Sequence, residues 1–113
     1  MVIQVFGTQK CKRSRAAERF FRERRIQMQF IDLPERGLSA GEFDSVMRAV
    51  GLENMIDTQS REYERLGLKH LSFDIEAKLR ENPRLLVTPI VRNGAKATVG
   101  LQQETWKAWI KNL

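Results

Sequence analysis

Residues 5–16 contain the only cysteine of the chain and have the sequence Val5-Phe6-Gly7-Thr8-Gln9-Lys10-Cys11-Lys12-Arg13-Ser14-Arg15-Ala16. The apolar residues from Val2 to Phe6 predict a buried β-strand. A short loop leads from Gly7 into an amphipathic helix, which we expect from Cys11 or Lys12 to Arg25. The helix N-terminus supplies free backbone N–H groups and the positive end of the helix dipole. Both favour a thiolate, the nucleophilic form of cysteine, so the position predicts a reactive thiol at Cys11.

The side chains around Cys11 support the same interpretation. Ser14 lies within one helical turn, so its hydroxyl can donate a hydrogen bond to the sulfur. Free N–H groups and cations that converge on one point also predict an anion site. The alternative is an inert cysteine that acts as a small buried hydrophobe, and the position at a strand–helix junction favours the reactive thiol. The neighbouring cations that should favour the thiolate are Lys10, Lys12, Arg13 and Arg15.

The next segments predict a βαβ unit followed by short helices. Alternation of Ile26, Met28 and Phe30 with polar residues predicts a strand over about 26–32, parallel to the first strand. A first short helix has capping-box residues at Ser39 and Glu42 and ends at Gly51. We expect two more helices, and their boundary residues are Thr58 or Ser60 to Gly67, and Ser72 to Asn82-Pro83.

The last segments predict a β-hairpin and a final helix. The hairpin strands are expected over 85–92 and Lys96–Val99, with Pro89 opening the third strand after Thr88 and Asn93-Gly94 forming a type I′ turn. The helix is expected over Glu104–Leu113. Its apolar face should pack in the core, and consists of Trp106, Trp109, Ile110 and Leu113.

This order of elements predicts one α/β (α+β) domain over residues 1–113, with a four-stranded mixed sheet and a thioredoxin-like fold. The thioredoxin-like core should occupy about 1–37 and 83–113, and an inserted helical subdomain about 38–82. In this topology Pro89 lies beside the thiol, and its neighbouring backbone is free to pair with a bound thiol compound. The sequence leaves the cis or trans state of Pro89 open.

The composition limits the classes of function. One His and one Cys cannot build a zinc site, and one cysteine cannot form an internal disulfide. No apolar run is long enough to span a membrane and no signal peptide is evident, so we expect a cytoplasmic protein. We also expect it to be a monomer. The net charge is +6, and one stripe of the first helix is basic. We interpret this stripe as a solvated face rather than a nucleic-acid site, because it contains no aromatic residue for base stacking. The stripe consists of Lys12, Arg15, Arg19 and Arg22.

Several motifs together resemble the arsenate reductase (ArsC) and Spx family over essentially the whole chain. They are Cys11-Lys-Arg-Ser14-Arg15-Ala16, Asp32-Leu33, Asn82-Pro83-Arg84-Leu85-Leu86, Thr88-Pro89-Ile90-Val91 and Val99-Gly100. The resemblance implies a thioredoxin-like fold with a helical subdomain. It also implies an enzyme that attacks arsenate with its cysteine and passes the adduct to glutathione and a glutaredoxin-like reductant, without a bound cofactor or metal.

The chain departs from the pattern of the family enzymes at the arginines that bind the oxyanion. Thr88 replaces the arginine before the strand-three proline, and Gln59 aligns with the arginine of the helical insert. The late arginine has no counterpart near Gly100-Leu101. Since charged donors stabilise a tetrahedral oxyanion, these replacements leave the substrate open.

We therefore expect a thiol oxidoreductase that uses a single nucleophilic cysteine and an external thiol such as glutathione. Its catalytic residues would be Cys11, Ser14 and Arg15. A small oxyanion or low-molecular-weight thiol would bind at Lys10, Lys12, Arg13, Thr88 and Pro89. The alternative is a non-catalytic, Spx-like transcription regulator that docks on an RNA polymerase subunit, so enzymatic activity is left open. Ser14 occupies the place of the second cysteine of the Spx switch, which excludes an internal disulfide here.

Overall fold

The computed structural model describes residues 2–111, which form four strands, six α-helices and three short 3₁₀ turns. The strands are β1 (Ile3–Gly7), β2 (Met28–Asp32), β3 (Ile90–Asn93) and β4 (Lys96–Val99). The helices are α1 (Lys12–Glu23), α2 (Leu33–Arg36), α3 (Ala40–Val50), α4 (Arg61–Arg65), α5 (Ile75–Glu81) and α6 (Gln103–Lys111). The 3₁₀ turns are Leu52–Asn54, Leu68–His70 and Pro83–Leu85.

The four strands form one mixed sheet in the order β2-β1-β3-β4. β1 is parallel to β2, with Val5 opposite Phe30, and antiparallel to β3, with Val5 opposite Val91. β4 continues the sheet antiparallel to β3. The α/β class, the mixed sheet and the thioredoxin-like topology predicted from the sequence are confirmed.

Alternate residues of β1 contribute to two hydrophobic clusters on opposite faces of the sheet. On one face, Ile3 and Val5 pack with residues of α1 and α6; on the other, Phe6 packs with residues of the helices between β2 and β3. The first cluster contains the two tryptophans, of which Trp106 is fully buried and Trp109 is 8% exposed, so their predicted core role is confirmed. Leu113, predicted on the same face, lies outside the described residues.

Several local boundaries differ from the sequence prediction. The two residues that connect β3 and β4 are Gly94 and Ala95 rather than Asn93 and Gly94, because Asn93 pairs with Lys96. Gly94 has φ 61°, which favours glycine at the first position of a two-residue hairpin turn. Residues 85–87 are not part of β3. They follow the Pro83–Leu85 turn, and Leu86 forms an isolated bridge with Ile56.

The caps of the helices between β2 and β3 agree with the prediction at two of three places. Ser39 and Glu42 form a capping box at α3, and the hydroxyl of Ser60 caps α4. α5, however, is capped by Asp74, whose carboxylate accepts from the N–H of Ala77, and not by Ser72. The division into a core and an inserted subdomain at about residue 38 and residue 82 stays a prediction. No helix among residues 2–111 is long and apolar enough to cross a membrane.

Candidate functional site

Cys11 is the N-cap residue of α1. Its backbone is extended, with φ −94° and ψ 120°, while its carbonyl oxygen already accepts from the N–H of Arg15 at 3.1 Å. The N–H of Cys11 donates to the carbonyl oxygen of Thr8 at 3.0 Å, which closes the loop after β1. The side chain is partly exposed. The fold therefore holds the thiol at the open end of the helix, where a reagent can reach it.

Ser14 lies directly behind Cys11 and is fully buried. Its Oγ accepts a hydrogen bond from the backbone N–H of Thr8 at 3.3 Å. Because that N–H occupies an acceptor site of the hydroxyl, the Ser14 proton is left to donate toward the sulfur. Gly7 makes this packing feasible, since a Cβ at residue 7 would lie 2.3 Å from Ser14 Oγ.

Thr88 approaches the sulfur from the opposite side of the site, although it is 77 residues away in sequence. Its Oγ1 donates a hydrogen bond to Cys11 Sγ at 3.3 Å. The Thr88–Pro89 peptide bond is cis, and Pro89 is buried. The carbonyl oxygen of Pro89 accepts from Gly100 N–H at 2.8 Å, whereas the Thr88 N–H and C=O have no backbone partner within residues 2–111. The free backbone expected beside the thiol is thus that of Thr88.

These contacts lower the pKa of the Cys11 thiol. Partial burial of the sulfur raises the pKa, but the donors around it have the opposite effect and together bring the pKa to about 7. The donors are the Ser14 hydroxyl, the Thr88 hydroxyl and the backbone N–H groups of Ser14 and Arg13, the third and second residues of α1. All of them stabilise the negative charge of the thiolate, so about half of the thiol is ionised near pH 7.

The four basic side chains near Cys11 surround the site without contacting the sulfur. Lys10, Lys12, Arg13 and Arg15 are exposed, and none forms an ion pair with an acidic residue of the described chain. The sequence predicted that these charges lower the pKa of Cys11. The structure attributes the lowering to hydrogen-bond donors instead, because water screens charges on exposed side chains.

Gln59, which the resemblance aligns with the arginine of the helical insert, makes none of these contacts. It lines an open cavity of about 600 Å³ together with residues of α4 and the turn after it, and Cys11, Ser14 and Thr88 are not among the lining residues. No group of three or more His, Cys, Asp or Glu side chains within the described range could hold a metal ion. The structure thus brings together Cys11, Ser14, Thr88 and Pro89.

From the sequence alone, no role in the site is predicted for Asp32. Asp32 pairs with Gly7 in the parallel register of β1 and β2, so it lies at the sheet edge from which the Cys11 loop starts. Its Oδ1 is buried, and no side-chain or backbone group in residues 2–111 donates to it. An acidic residue at the carboxyl end of a strand next to the cysteine strand is the signal in the sequence that points to this position.

Comparisons with known proteins agree with this architecture. An arsenate reductase of Neisseria meningitidis serogroup A is 30% identical over 112 residues, which cover 94% of this chain and 96% of that protein. The global transcriptional regulator Spx 2 of Oceanobacillus iheyensis is 24% identical over 92% of this chain and 80% of its own length.

The fold is shared with a solved arsenate reductase from Vibrio cholerae at a TM-score of 0.78. The two chains are 23% identical, and the superposition covers 93% of this chain and 94% of the other. The profile of the ArsC family matches residues 6–109, the segment that contains the end of β1, the Cys11 loop, the other three strands and most of α6. With this match and the 30% identical relative, the chain belongs to the ArsC family.

Proposed function

We propose that this protein is a thiol oxidoreductase of the arsenate reductase type, with Cys11 as its nucleophile and an external thiol as its reductant. The observation that carries the proposal is the hydrogen bond from Thr88 Oγ1 to Cys11 Sγ, at a thiol whose pKa is lowered to about 7. A purely structural cysteine has no need of four donors aimed at its thiolate. A nucleophile benefits from them, because a larger fraction is ionised at neutral pH.

The reductant must come from outside the chain. Cys11 is the only cysteine, so it cannot be released from a mixed disulfide by a second thiol of the same protein. Ser14, at the place of a second cysteine, supports the thiolate instead. A low-molecular-weight thiol such as glutathione, or a protein thiol of the glutaredoxin type, fits this requirement.

With arsenate as substrate, the reaction consumes two external thiols. The Cys11 thiolate forms a bond to arsenic and one arsenate oxygen leaves as water. The external thiolate then attacks the Cys11 sulfur, and the electron pair of the broken sulfur–arsenic bond stays on arsenic, which leaves as arsenite. A second thiol releases Cys11 from the resulting mixed disulfide. In total, one arsenate and two thiols give one arsenite, one disulfide and one water.

Thr88 affects which substrate the site prefers. A hydroxyl before Pro89 provides one neutral donor where the family enzymes have an arginine, so it stabilises a thiolate better than it binds a dianion. We therefore expect exchange with mixed disulfides to be faster than reduction of arsenate. Arg13 and Arg15 are exposed within four residues of Cys11, so we propose them as the cations that bind an oxyanion.

The test is the pH dependence of Cys11 alkylation by iodoacetamide, together with turnover of 2-hydroxyethyl disulfide and of arsenate with glutathione and glutaredoxin. We expect an alkylation midpoint near 7 and a turnover that Cys11→Ser abolishes. An alkylation midpoint at the ordinary value of about 8.5 or above would contradict the proposal. Full turnover by Cys11→Ser would contradict it as well.

A second candidate is a regulator that docks on RNA polymerase, and the similarity to Spx 2 over 92% of this chain favours it. This function needs a surface and not a thiolate. Its distinguishing result would be a stable complex with the polymerase α subunit that survives Cys11→Ser. Failure to recover any polymerase subunit with the tagged native protein would count against it.

A further inference from the structure

Three cations of α1 form one surface that begins beside Cys11. Lys12, Arg15 and Arg19 are spaced by three and four residues, so they share one face of the helix, and all three are exposed. Together they line an open cavity of about 390 Å³. We call these three residues the basic surface.

The basic surface is unfavourable for the helix that carries it. Like charges three and four residues apart repel each other. Cations in the first turn also oppose the helix dipole, and the first turn of α1 contains no acidic residue that would offset them. These charges thus destabilise the helix both by mutual repulsion and by opposing its dipole. Residues that break a local rule in this way are often kept for binding a partner.

No acidic side chain in the described chain forms an ion pair with Lys12, Arg15 or Arg19. Glu18, the nearest acidic residue in sequence, pairs with Arg22 at 3.0 Å. Glu23 follows Arg19 by one turn and lies on the same face, but within residues 2–111 it forms no ion pair with Arg19. The positive charge is therefore available to a partner.

We propose that the basic surface docks an acidic protein that carries a reactive thiol, and so brings that thiol to Cys11. This inference rests on the proposed function, because only a thiol that exchanges with Cys11 needs to be delivered to it. The surface extends from Lys12 to Arg19, a rise of seven residue steps or about 10 Å along the helix. A small thiol bound at Cys11 has too few carboxylates to pair with cations that are spread over this length. An acidic protein surface can place several carboxylates along it.

A nucleic acid is the other polyanion that such a surface could attract. The basic surface contains no aromatic side chain for base stacking, and a nucleic acid makes no use of an activated thiolate. The proximity of Cys11 to Lys12 therefore favours a thiol protein. Charge complementarity at an interface mainly raises the association rate, and this effect falls steeply with salt.

The experiment uses Cys11 converted to its neutral mixed disulfide with 2-thiopyridine, so that peptide thiols release a chromophore. Two cysteine peptides of equal length serve as probes, one with four glutamates and one with four glutamines. The variants are Arg19→Glu, two turns from the sulfur, and Arg48→Glu as the control. Arg48 is also an exposed helical arginine without an ion pair in the described chain, but it lies in α3.

We expect the glutamate peptide to react about tenfold faster than the glutamine peptide at low salt, and this preference to disappear at high salt. Arg19→Glu should remove the preference, and Arg48→Glu should keep it. Equal rates for both peptides with the native protein would overturn the docking proposal, as would an equal loss of preference in both variants. Alkylation of native Cys11 with a midpoint near 7 would show that the proposed function survives such a failure.

A second experiment tests nucleic acid as the alternative partner of the basic surface. A fluorescent 20-nucleotide single strand is titrated with the native protein and with Arg19→Glu at the same low salt. The proposal expects weak binding that the variant changes little. Tight binding that Arg19→Glu abolishes, with no preference between the two peptides, would assign the surface to nucleic acid and overturn the proposal.

Discussion

Thr88 contacts the nucleophile directly, although it is 77 residues away from it in sequence. Its hydroxyl donates to Cys11 Sγ at 3.3 Å, while Ser14 approaches from the helix side. A hydroxyl can rotate its proton toward the thiolate and carries no charge of its own. The thiolate is thus stabilised without a fixed cation that would also bind competing anions.

Thr88→Val should raise the pKa of Cys11 toward its ordinary value. Valine has the shape of threonine but no donor, and losing one hydrogen bond to a partly exposed thiolate should move the pKa from about 7 to about 8. At pH 7 the thiolate fraction then falls from about a half to about a tenth, so alkylation slows about fivefold. The rates should converge above pH 10, where both thiols are ionised.

Thr88→Ser is the matched control, since it keeps the hydroxyl and removes only a methyl group. Its alkylation midpoint should stay near that of the native protein. An unchanged midpoint in Thr88→Val would show that the Thr88 hydroxyl does not stabilise the thiolate.

At the scale of elements, α1 combines a stable apolar face with an unfavourable N-terminus. Phe20 and Phe21 anchor the helix in the core, with ring centroids 5.0 Å apart. This packing holds the first turn in place, although its basic residues oppose the dipole. The open N-terminus is the part of α1 that stabilises the thiolate.

Lys12→Glu should therefore stabilise the protein and leave the pKa of the thiol nearly unchanged. Replacing a cation by an anion in the first turn should raise the free energy of unfolding by about 0.5–1 kcal/mol. Because water screens the charge of this exposed side chain, the pKa of Cys11 should stay near 7. Urea unfolding measures the stability, and alkylation against pH measures the pKa.

Arg48→Glu is the control for Lys12→Glu, because it places the same new charge at the other end of a helix. Arg48 lies in the last turn of α3, where a cation is favourable, so Arg48→Glu should lower the free energy of unfolding and leave Cys11 unchanged. A gain in stability in both variants would contradict the dipole argument.

The order of the elements could be predicted from the sequence because apolar periodicity and capping residues are local signals. Local signals do not decide between two residues that suit the same role equally well. Ser72 and Asp74 are both good caps, and only the structure shows that Asp74 caps α5. The hairpin turn differs from the prediction by one residue, because pairing of Asn93 with Lys96 fixes the register.

The site itself could be predicted only in part. Ser14 lies three residues from Cys11, so helical geometry alone places it behind the thiol. Thr88 entered the prediction through topology and resemblance, since no local pattern links residues 77 positions apart. The sequence predicts that Ser14 and the free N–H groups of α1 favour the thiolate, and these groups lower the pKa of Cys11. It also predicts a contribution of the basic side chains, which the structure does not show because water screens their exposed charges.

At the scale of the whole molecule, the site and the two hydrophobic clusters are separate. The groups that lower the pKa of Cys11 belong to residues 13, 14 and 88, at one end of the central strands β1 and β3. The cluster of α1 and α6 is closed by Trp106, whose ring lies 5.3 Å from both Phe20 and Phe21. Core variants should therefore change stability without changing the thiol.

Trp106→Phe tests this separation. The smaller ring leaves a cavity and removes the hydrogen bond from Trp106 Nε1 to Thr98 Oγ1 at 2.9 Å, so the free energy of unfolding should fall by about 2 kcal/mol. Trp109→Phe, at a position that is 8% exposed and makes no side-chain hydrogen bond to residues 2–111, should cost less. Urea unfolding followed by far-UV circular dichroism measures both. Without urea, the alkylation midpoint of Cys11 should stay near 7 in both variants, and a raised midpoint in Trp106→Phe would show that the core and the site are coupled through α1.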